Sequence, residues 1–302
     1  MSFIERIADF GLDHNRLLTT TVIKGSIENK TPIRIGKPGE GLKSAADLPI
    51  ERLPDGTVYI PGSSLKGSLR TLATKIALAS GRRVCNIFGE HPNICELAVI
   101  ILRRAYRLQY SRENEILKKI RETLRSKIKI LKEREEVEPL VKLVEEVENI
   151  DELLSGMKNL DVPCIVCRVF GNTELASHIL VHDAMPYSNP KIDYRTRIAL
   201  DRFRSAARTG ALFTYEYVPP EFTWKLQMEF HNIPLLSGKG DTVEFMRSIL
   251  KYIRNMGFHI GSMKTVGLGL VKLEDIKVEE YRVRNFKLEL VGEGGVEVFE
   301  KW

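Results

Sequence analysis

An α+β fold built on an antiparallel sheet is predicted for this 302-residue chain by three observations. Strand-like and helical segments come in the order ββ, α, β, ββ, α, β, which suits helices on one face of an antiparallel sheet. The first long helix carries Leu65, Leu69, Leu72, Ala73 and Ile76 at helical spacing. Residues 211–218 (ALFTYEYV) and 222–230 (FTWKLQMEF) alternate as strands do. A ferredoxin-like split βαβ is the simplest fold with that order. A hydrophobic content of 43% supports a real core, and a formal charge of +6 permits an anionic partner without demanding one. No apolar run of about 18 residues occurs and the first residues carry no signal-peptide pattern, so a cytoplasmic chain with no membrane partner is expected.

In chain order, residues 17–35 read as a hairpin, with a β-branched first arm, a turn at Asn29-Lys30 and a second arm from Pro32 to Ile35. A glycine-rich loop, residues 36–46, leads to Asp47-Leu48-Pro49-Ile50, and loops of this length are often functional. Tyr59-Ile60 ends a strand, Pro61-Gly62 turns, and Ser63 or Ser64 is positioned to cap the next helix. Lys66 and Arg70 share a helix face one turn further on. Free N–H groups, the helix dipole and two cations suit a phosphate. A plain strand–turn–helix corner with a solvated basic face accounts for the same residues equally well.

Residues 112–148 hold ten Lys/Arg and ten Glu, so this charge run is neutral. Ile116, Ile120, Leu124, Ile128 and Leu131 form one helical stripe, and Leu140, Val141 and Val144 another, with Pro139 between the two helices. A salt-bridged helical insertion is expected, giving a core of residues 1–84 and 169–302 and an insertion of residues 85–168. Residues 185–209 are basic, with Lys191, Arg195, Arg197, Arg202, Arg204 and Arg208 against Asp193 and Asp201. Asp241 and Glu244 resemble a capping box. The glycine-rich run 257–269, which includes Lys264, lies between a helix and a strand, the wrong order for a dinucleotide site. Its glycines would let an RNA backbone approach closely, but a flexible connection is the plainer reading. Residues 286–302 read as a short hairpin turning at 292–295.

The chain has four cysteines. Cys164 and Cys167 form a Cys-x-x-Cys pair, and His91 with Cys95 forms a second pair at the other end of the insertion. Brought together they would make a tetrahedral site of three cysteines and one histidine for a structural Zn2+, with Cys85 spare or in place of His91. Redox use of the Cys-x-x-Cys pair lacks the usual helix context. Asp47 is a solvated loop aspartate on its own terms, but near an RNA phosphate it could hold a divalent metal or accept a 2′-hydroxyl proton.

Four stretches jointly resemble the RAMP superfamily of CRISPR-associated proteins, and most closely the backbone subunit of type III (Csm/Cmr-type) effector complexes. They are YIPGSSLKGSLR (59–70), CIVCRVFG (164–171), the run Arg197–Arg202 with ALFTYEYVPP (211–220), and GFHIGSMKTVGLGLVKL (257–273). The resemblance implies a ferredoxin-like, RRM-related core that polymerises along a CRISPR guide RNA, with a thumb-like hairpin around residues 186–218. It implies guide contacts by Ser63, Ser64, Lys66, Arg70, Arg197, Arg202 and Lys264. It further implies target-RNA cleavage from Asp47, dependent on Mg2+ or another divalent metal, by 2′-hydroxyl attack. The implied partners are guide RNA, target RNA, further copies of the chain in a filament and other type III subunits. Two alternatives stand beside this reading. One is a guide-binding assembly subunit that does not cut. The other is a guide-processing endoribonuclease, which would need a general acid such as His259 and would lack the Pro-Gly-Ser-Ser-Leu-Lys signature.

Overall fold

β-Branched residues favour extended backbone, and the run from Thr19 accordingly forms the central strand, β1 (Thr19–Asn29). The computed structural model describes residues 3–36, 46–86, 92–129, 135–201 and 206–302. β1 is flanked by β5 (Phe222–His231) and β7 (Leu270–Arg284), both antiparallel to it. β2 (Ile179–Val181) pairs antiparallel with the far edge of β5, so four strands run β2-β5-β1-β7. β6 (Phe258–His259) and β8 (Lys287–Gly294) pair with opposite ends of β7. β3 (Asp193–Asp201) and β4 (Ala206–Tyr217) form a separate two-stranded hairpin.

Two amphipathic helices cover this sheet. α2 (Gly62–Ala79) buries Leu65, Leu69 and Ala73 of the predicted stripe, together with Ala77, while Leu72 and Ile76 are partly buried against the same core. α8 (Asp241–Met256) buries Val243, Met246, Ile249, Leu250 and Ile253. They touch each other and the sheet, and share one apolar cluster with Ile23, Ile27, Trp224, Phe230 and Val278. α1 (Phe3–Ala8) precedes the sheet, and α9 (Glu297–Lys301) ends the chain with Phe299 buried against Trp302.

Between α2 and β2 the chain leaves the sheet for five helices: α3 (Ile94–Arg107), α4 (Glu113–Ile128), α5 (Glu138–Glu146), α6 (Ile150–Asn159) and α7 (Ile165–Phe170). Their apolar stripes, including Leu97, Ile101, Ile120, Leu124, Leu140, Val144 and Leu153, pack into the same continuous core. Asn93 opens α3 with a reciprocal capping box to Glu96.

Several local expectations are corrected. Residues 32–35 do not fold back on β1, whose two edges are already taken; Ile33 instead exchanges backbone bonds with Val218 (both 2.9 Å). Neither Ser63 nor Ser64 caps α2, whose first amide is met by a distant carboxylate, described below. Asp241 is the first residue of α8 and pairs with Arg82 instead of capping. The C-terminal hairpin turns at Asn285-Phe286, both with positive φ (47° and 61°), and residues 292–295 lead into α9. The Cys-x-x-Cys pair does have a helix context, since Cys164 is the N-cap residue of α7 and Cys167 lies in its first turn. Among the described residues, no helix is long and apolar enough to cross a membrane.

Candidate functional site

Pro61 and Gly62 bring the start of α2 hard against β2. A Cβ on Gly62 would lie 2.1 Å from the Val181 carbonyl oxygen, so only glycine fits there. The Gly62 N–H donates to Asp183 Oδ1 (2.7 Å). The anion attracted to this helix start is thus, at its first amide, the chain's own carboxylate. Ser63 is exposed, and Ser64 uses its amide on the Pro61 carbonyl (2.9 Å). Ser63 and Lys66 line a shallow cleft of about 360 Å3 against Ile179–His182. Burial, and secondly Arg70, lowers the pKa of Lys66 from its ordinary value.

The predicted phosphate contacts are not gathered on one face. Lys66 and Arg70 flank the buried stripe of α2 on one side. Ser68 and Lys75 flank it on the other, where Lys264 Nζ lies 3.3 Å from Ser68 Oγ. Burial and the nearby Lys75 lower the pKa of Lys264. Arg70 turns inward: its Nη2 lies 3.9 Å from Cys167 Sγ, and its buried Nε has no hydrogen-bond partner among the described residues.

Arg70 points there because four sulfurs converge. Cys85 follows α2, Cys95 sits in the first turn of α3, and Cys164 and Cys167 open α7. All four are buried, and their sulfurs lie within 4.8 Å of one another. Cys85 and Cys167 Sγ are 3.4 Å apart, and the Cys164 N–H donates to Cys95 Sγ (3.2 Å). Contacts with the Cys167, Cys85 and Cys95 sulfurs hold the Cys164 thiol well below its ordinary pKa. Contact with Cys164 pushes the Cys85 and Cys95 thiols up. Tetrahedral zinc, with Zn–S near 2.3 Å, needs sulfurs about 3.8 Å apart, so this donor set fits one such ion. The guanidinium and the amide N–H are also the outer partners that anionic thiolates require. His91 lies outside the described residues, and four cysteines complete a tetrahedral set without it.

Asp47 is exposed, and its Oδ2 accepts the Thr214 N–H of β4 (2.7 Å). The next residue bonds the same strand: Leu48 N–H donates to the Thr214 carbonyl, and Glu216 N–H to the Leu48 carbonyl (both 3.2 Å). Beneath this segment lies the buried Arg34. It donates to the Leu48 carbonyl (3.4 Å), the Pro49 carbonyl (3.3 Å) and Ser262 Oγ (2.8 Å). Burial lowers the Arg34 pKa, with Glu216 opposing the shift. Ser262 N–H returns a bond to the Arg34 carbonyl (2.9 Å), and Gly269 N–H bonds Pro32. Gly261 has φ +74°, and a Cβ there would lie 2.2 Å from the Arg34 carbonyl oxygen. The glycine run is therefore a pinned surface, not a slack connection. Asp47, Arg34 and the glycine run form one unit.

Across from Asp47's anchor, the hairpin carries a file of Phe213, Tyr215 and Tyr217. Arg195 lies over the Tyr217 ring (5.1 Å) and Arg197 over Tyr215 (5.5 Å). Arg202 lies outside the described residues. His259 is exposed and pairs by backbone with Leu270.

The RAMP superfamily pattern matches residues 26–272, from within β1 to within β7. The chain belongs to the RAMP superfamily. It is also similar to the CRISPR system Cms endoribonuclease Csm3 of Methanocaldococcus jannaschii, with 36% identity over 102 residues. That match takes in 28% of this chain and 41% of the relative, so it spans less than half of the relative's length. The family resemblance carried by the four stretches is therefore correct.

In this RAMP chain two participants are missing from the residues singled out by sequence. Asp183 is 121 positions from the amide it caps, and no local pattern announces it. Arg34 had a signal, a lone cation between Ile33 and Ile35, both of which are buried. A cation in such a setting must find several acceptors.

Proposed function

We propose that this RAMP chain is a subunit of a type III CRISPR effector complex, lying along guide RNA and cutting target RNA through Asp47. The relative's name supports the complex. The strand order β2-β5-β1-β7, with α2 and α8 as crossovers, supports a ferredoxin-like, RRM-related core. On this reading the core is residues 1–84 and 169–302, the insertion is 85–168, and the β3–β4 hairpin is the thumb that meets guide RNA through Arg195 and Arg197. Lys66, Ser63 and Lys264 are the remaining phosphate contacts on the core. Further copies of the chain and other subunits continue the assembly along the guide.

The observation that carries the catalytic part is the anchoring of Asp47. One carboxylate oxygen is held by the β4 backbone, which fixes the carboxylate against the hairpin and leaves Oδ1 as the oxygen not used in that bond. That oxygen is suited to take the proton of a 2′-hydroxyl. The 2′-oxygen then bonds to the adjacent phosphorus, the 5′-oxygen leaves and takes a proton from water to become a 5′-hydroxyl, and a 2′,3′-cyclic phosphate remains. A divalent ion such as Mg2+, when bound, would neutralise charge on the phosphate; with a single carboxylate here, substrate oxygens and water would complete its shell. The cysteine cluster is read as a four-cysteine zinc site with a structural role.

Asp47→Ala in the assembled complex is expected to lower target cleavage about 10²-fold or more while leaving guide retention intact. One observation favours a second reading, a subunit that assembles without cutting: among the described residues Asp47 belongs to no group of three or more metal-ligating side chains. Unchanged cleavage by the variant establishes that second reading.

A further inference from the structure

The helical insertion is neutral as a sequence, yet its charges are not evenly placed. Arg107 lies four residues after Arg103 and three after Arg104 on α3, so its side chain neighbours both. Lys127 and Thr123 of α4 face them across a cleft of about 280 Å3, floored by Ile100. The lining holds four cations and one carboxylate, Glu174, which is bound to Arg103 (3.1 Å). Arg107 and Lys127 are exposed and have no ion pair among the described residues. Arg104 Nε is buried without a hydrogen-bond partner. A buried, unsatisfied guanidinium N–H is costly.

Ordinary helix electrostatics explains part of this. Arg104 and Arg107 sit in the last turn of α3, where cations oppose the negative end of the helix dipole. Lys127 likewise sits in the last turn of α4, but the dipoles do not explain why the two helix ends converge on one cleft, nor the unmet Nε. Arginine forks and a lysine around a small polar cleft match the tetrahedral oxyanion of a phosphodiester.

We propose that this α3–α4 cleft is a second phosphate-binding surface, which grips the backbone of single-stranded RNA on the insertion, away from α2 and the hairpin. It rests on the reading of the chain as an RNA-binding subunit. A protein partner fits less well, since protein interfaces need an apolar centre and Ile100 is the one aliphatic residue in the lining. Backbone phosphate contacts need no such centre. The site reads no base sequence; it adds affinity and fixes where the insertion lies relative to the strand.

The test uses the full chain and a 20-nucleotide single-stranded RNA, with affinity measured over a salt series. Arg107→Glu/Lys127→Glu reverses two exposed charges, so folding is spared. Lys118→Glu/Lys142→Glu makes the same change in net charge elsewhere on the insertion. The first variant is expected to bind about tenfold more weakly at moderate salt. Its log K against log salt slope should fall by about 1.4, near 0.7 for each phosphate that is no longer neutralised. The second should keep the wild-type slope. If both pairs behave alike, the effect is general repulsion and the site is overturned. Lys66→Glu, read in the same series, separates the two levels of inference. Weakening by Lys66→Glu with none from Arg107→Glu/Lys127→Glu overturns the second site alone, even if the cleft then captures an acidic protein. A wild-type chain that does not bind this RNA at low salt overturns both.

Discussion

Two aspartates beside α2 and β4 show how much a carboxylate's use depends on what its oxygens already hold. Asp183 spends Oδ1 on the first amide of α2, and Asp47 spends Oδ2 on β4. The first is an intrusion if α2 is to receive a phosphate, because it sets a negative charge where the helix dipole favours an outside anion. Removing it separates the plain corner from the phosphate cradle. Asp183→Ala should cost about 1 kcal/mol of stability through the lost cap, read as a lower denaturant midpoint at unchanged m. If the N-terminus of α2 receives an RNA phosphate, the same variant should bind RNA more tightly despite being less stable. Unaltered affinity would mark the segment as a corner only. The Lys66–Arg70 spacing was legible in the sequence, because helix geometry is local. That Arg70 points into the cysteine cluster was not, since its partner Cys167 lies 97 residues on.

At the scale of elements, the same division separates what periodicity reveals from what pairing decides. The stripes of α2 and α4 largely fix their buried faces in advance, because the hydrophobic demand is written within each segment. Strand partners are not written that way. The second arm expected at Pro32–Ile35 pairs with Val218, because β5 and β7 outcompete it for both edges of β1 with long, continuous ladders. Across the β1–β7 ladder, Glu279 takes hydrogen bonds from Lys24 (3.3 Å) and Tyr281 (3.2 Å), and pairs with Lys277 (2.7 Å). These partners, Lys277 foremost, hold its carboxyl down to about 2, against an ordinary 4.5. A depressed carboxylate stabilises the fold fully above its unfolded pKa and loses that contribution as pH falls through the folded one. The window is therefore pH 4.5 down to about 2. Glu279→Gln should flatten the stability–pH curve in that window and leave the curve above pH 6 parallel to wild type. Because both lysines are largely exposed, the difference should shrink in 1 M salt. An identical acid limb in wild type and variant would remove this ladder from the account of acid sensitivity.

The whole molecule turns on where the insertion meets the core. Cys85 and Cys95 stand where the chain passes from α2 into the insertion, and Cys164 with Cys167 lead it back toward β2. The spacing of the Cys-x-x-Cys pair made half of this cluster legible. Whether His91 or Cys85 completes it could not be read, because that depends on how the ends of the insertion close in space. The structure gathers the four sulfurs. If they hold zinc, one ion ties both crossings between insertion and core, and its removal should loosen the two together. The full chain is then expected to contain one equivalent of zinc by metal analysis. Stripping it with a strong chelator should lower Tm by on the order of 10 °C, the shift for a ligand present at about a thousand times its dissociation constant. A single unfolding transition should also split in two, since the insertion and the sheet no longer share a fixed junction. Cys85→Ser should reproduce the stripped protein and His91→Ala should not. The reverse outcome would return His91 to the ligand set and leave Cys85 as the spare thiol. A zinc-free protein that melts in one step would instead mean that packing of α7 against α2 and α8 joins the two parts without an ion.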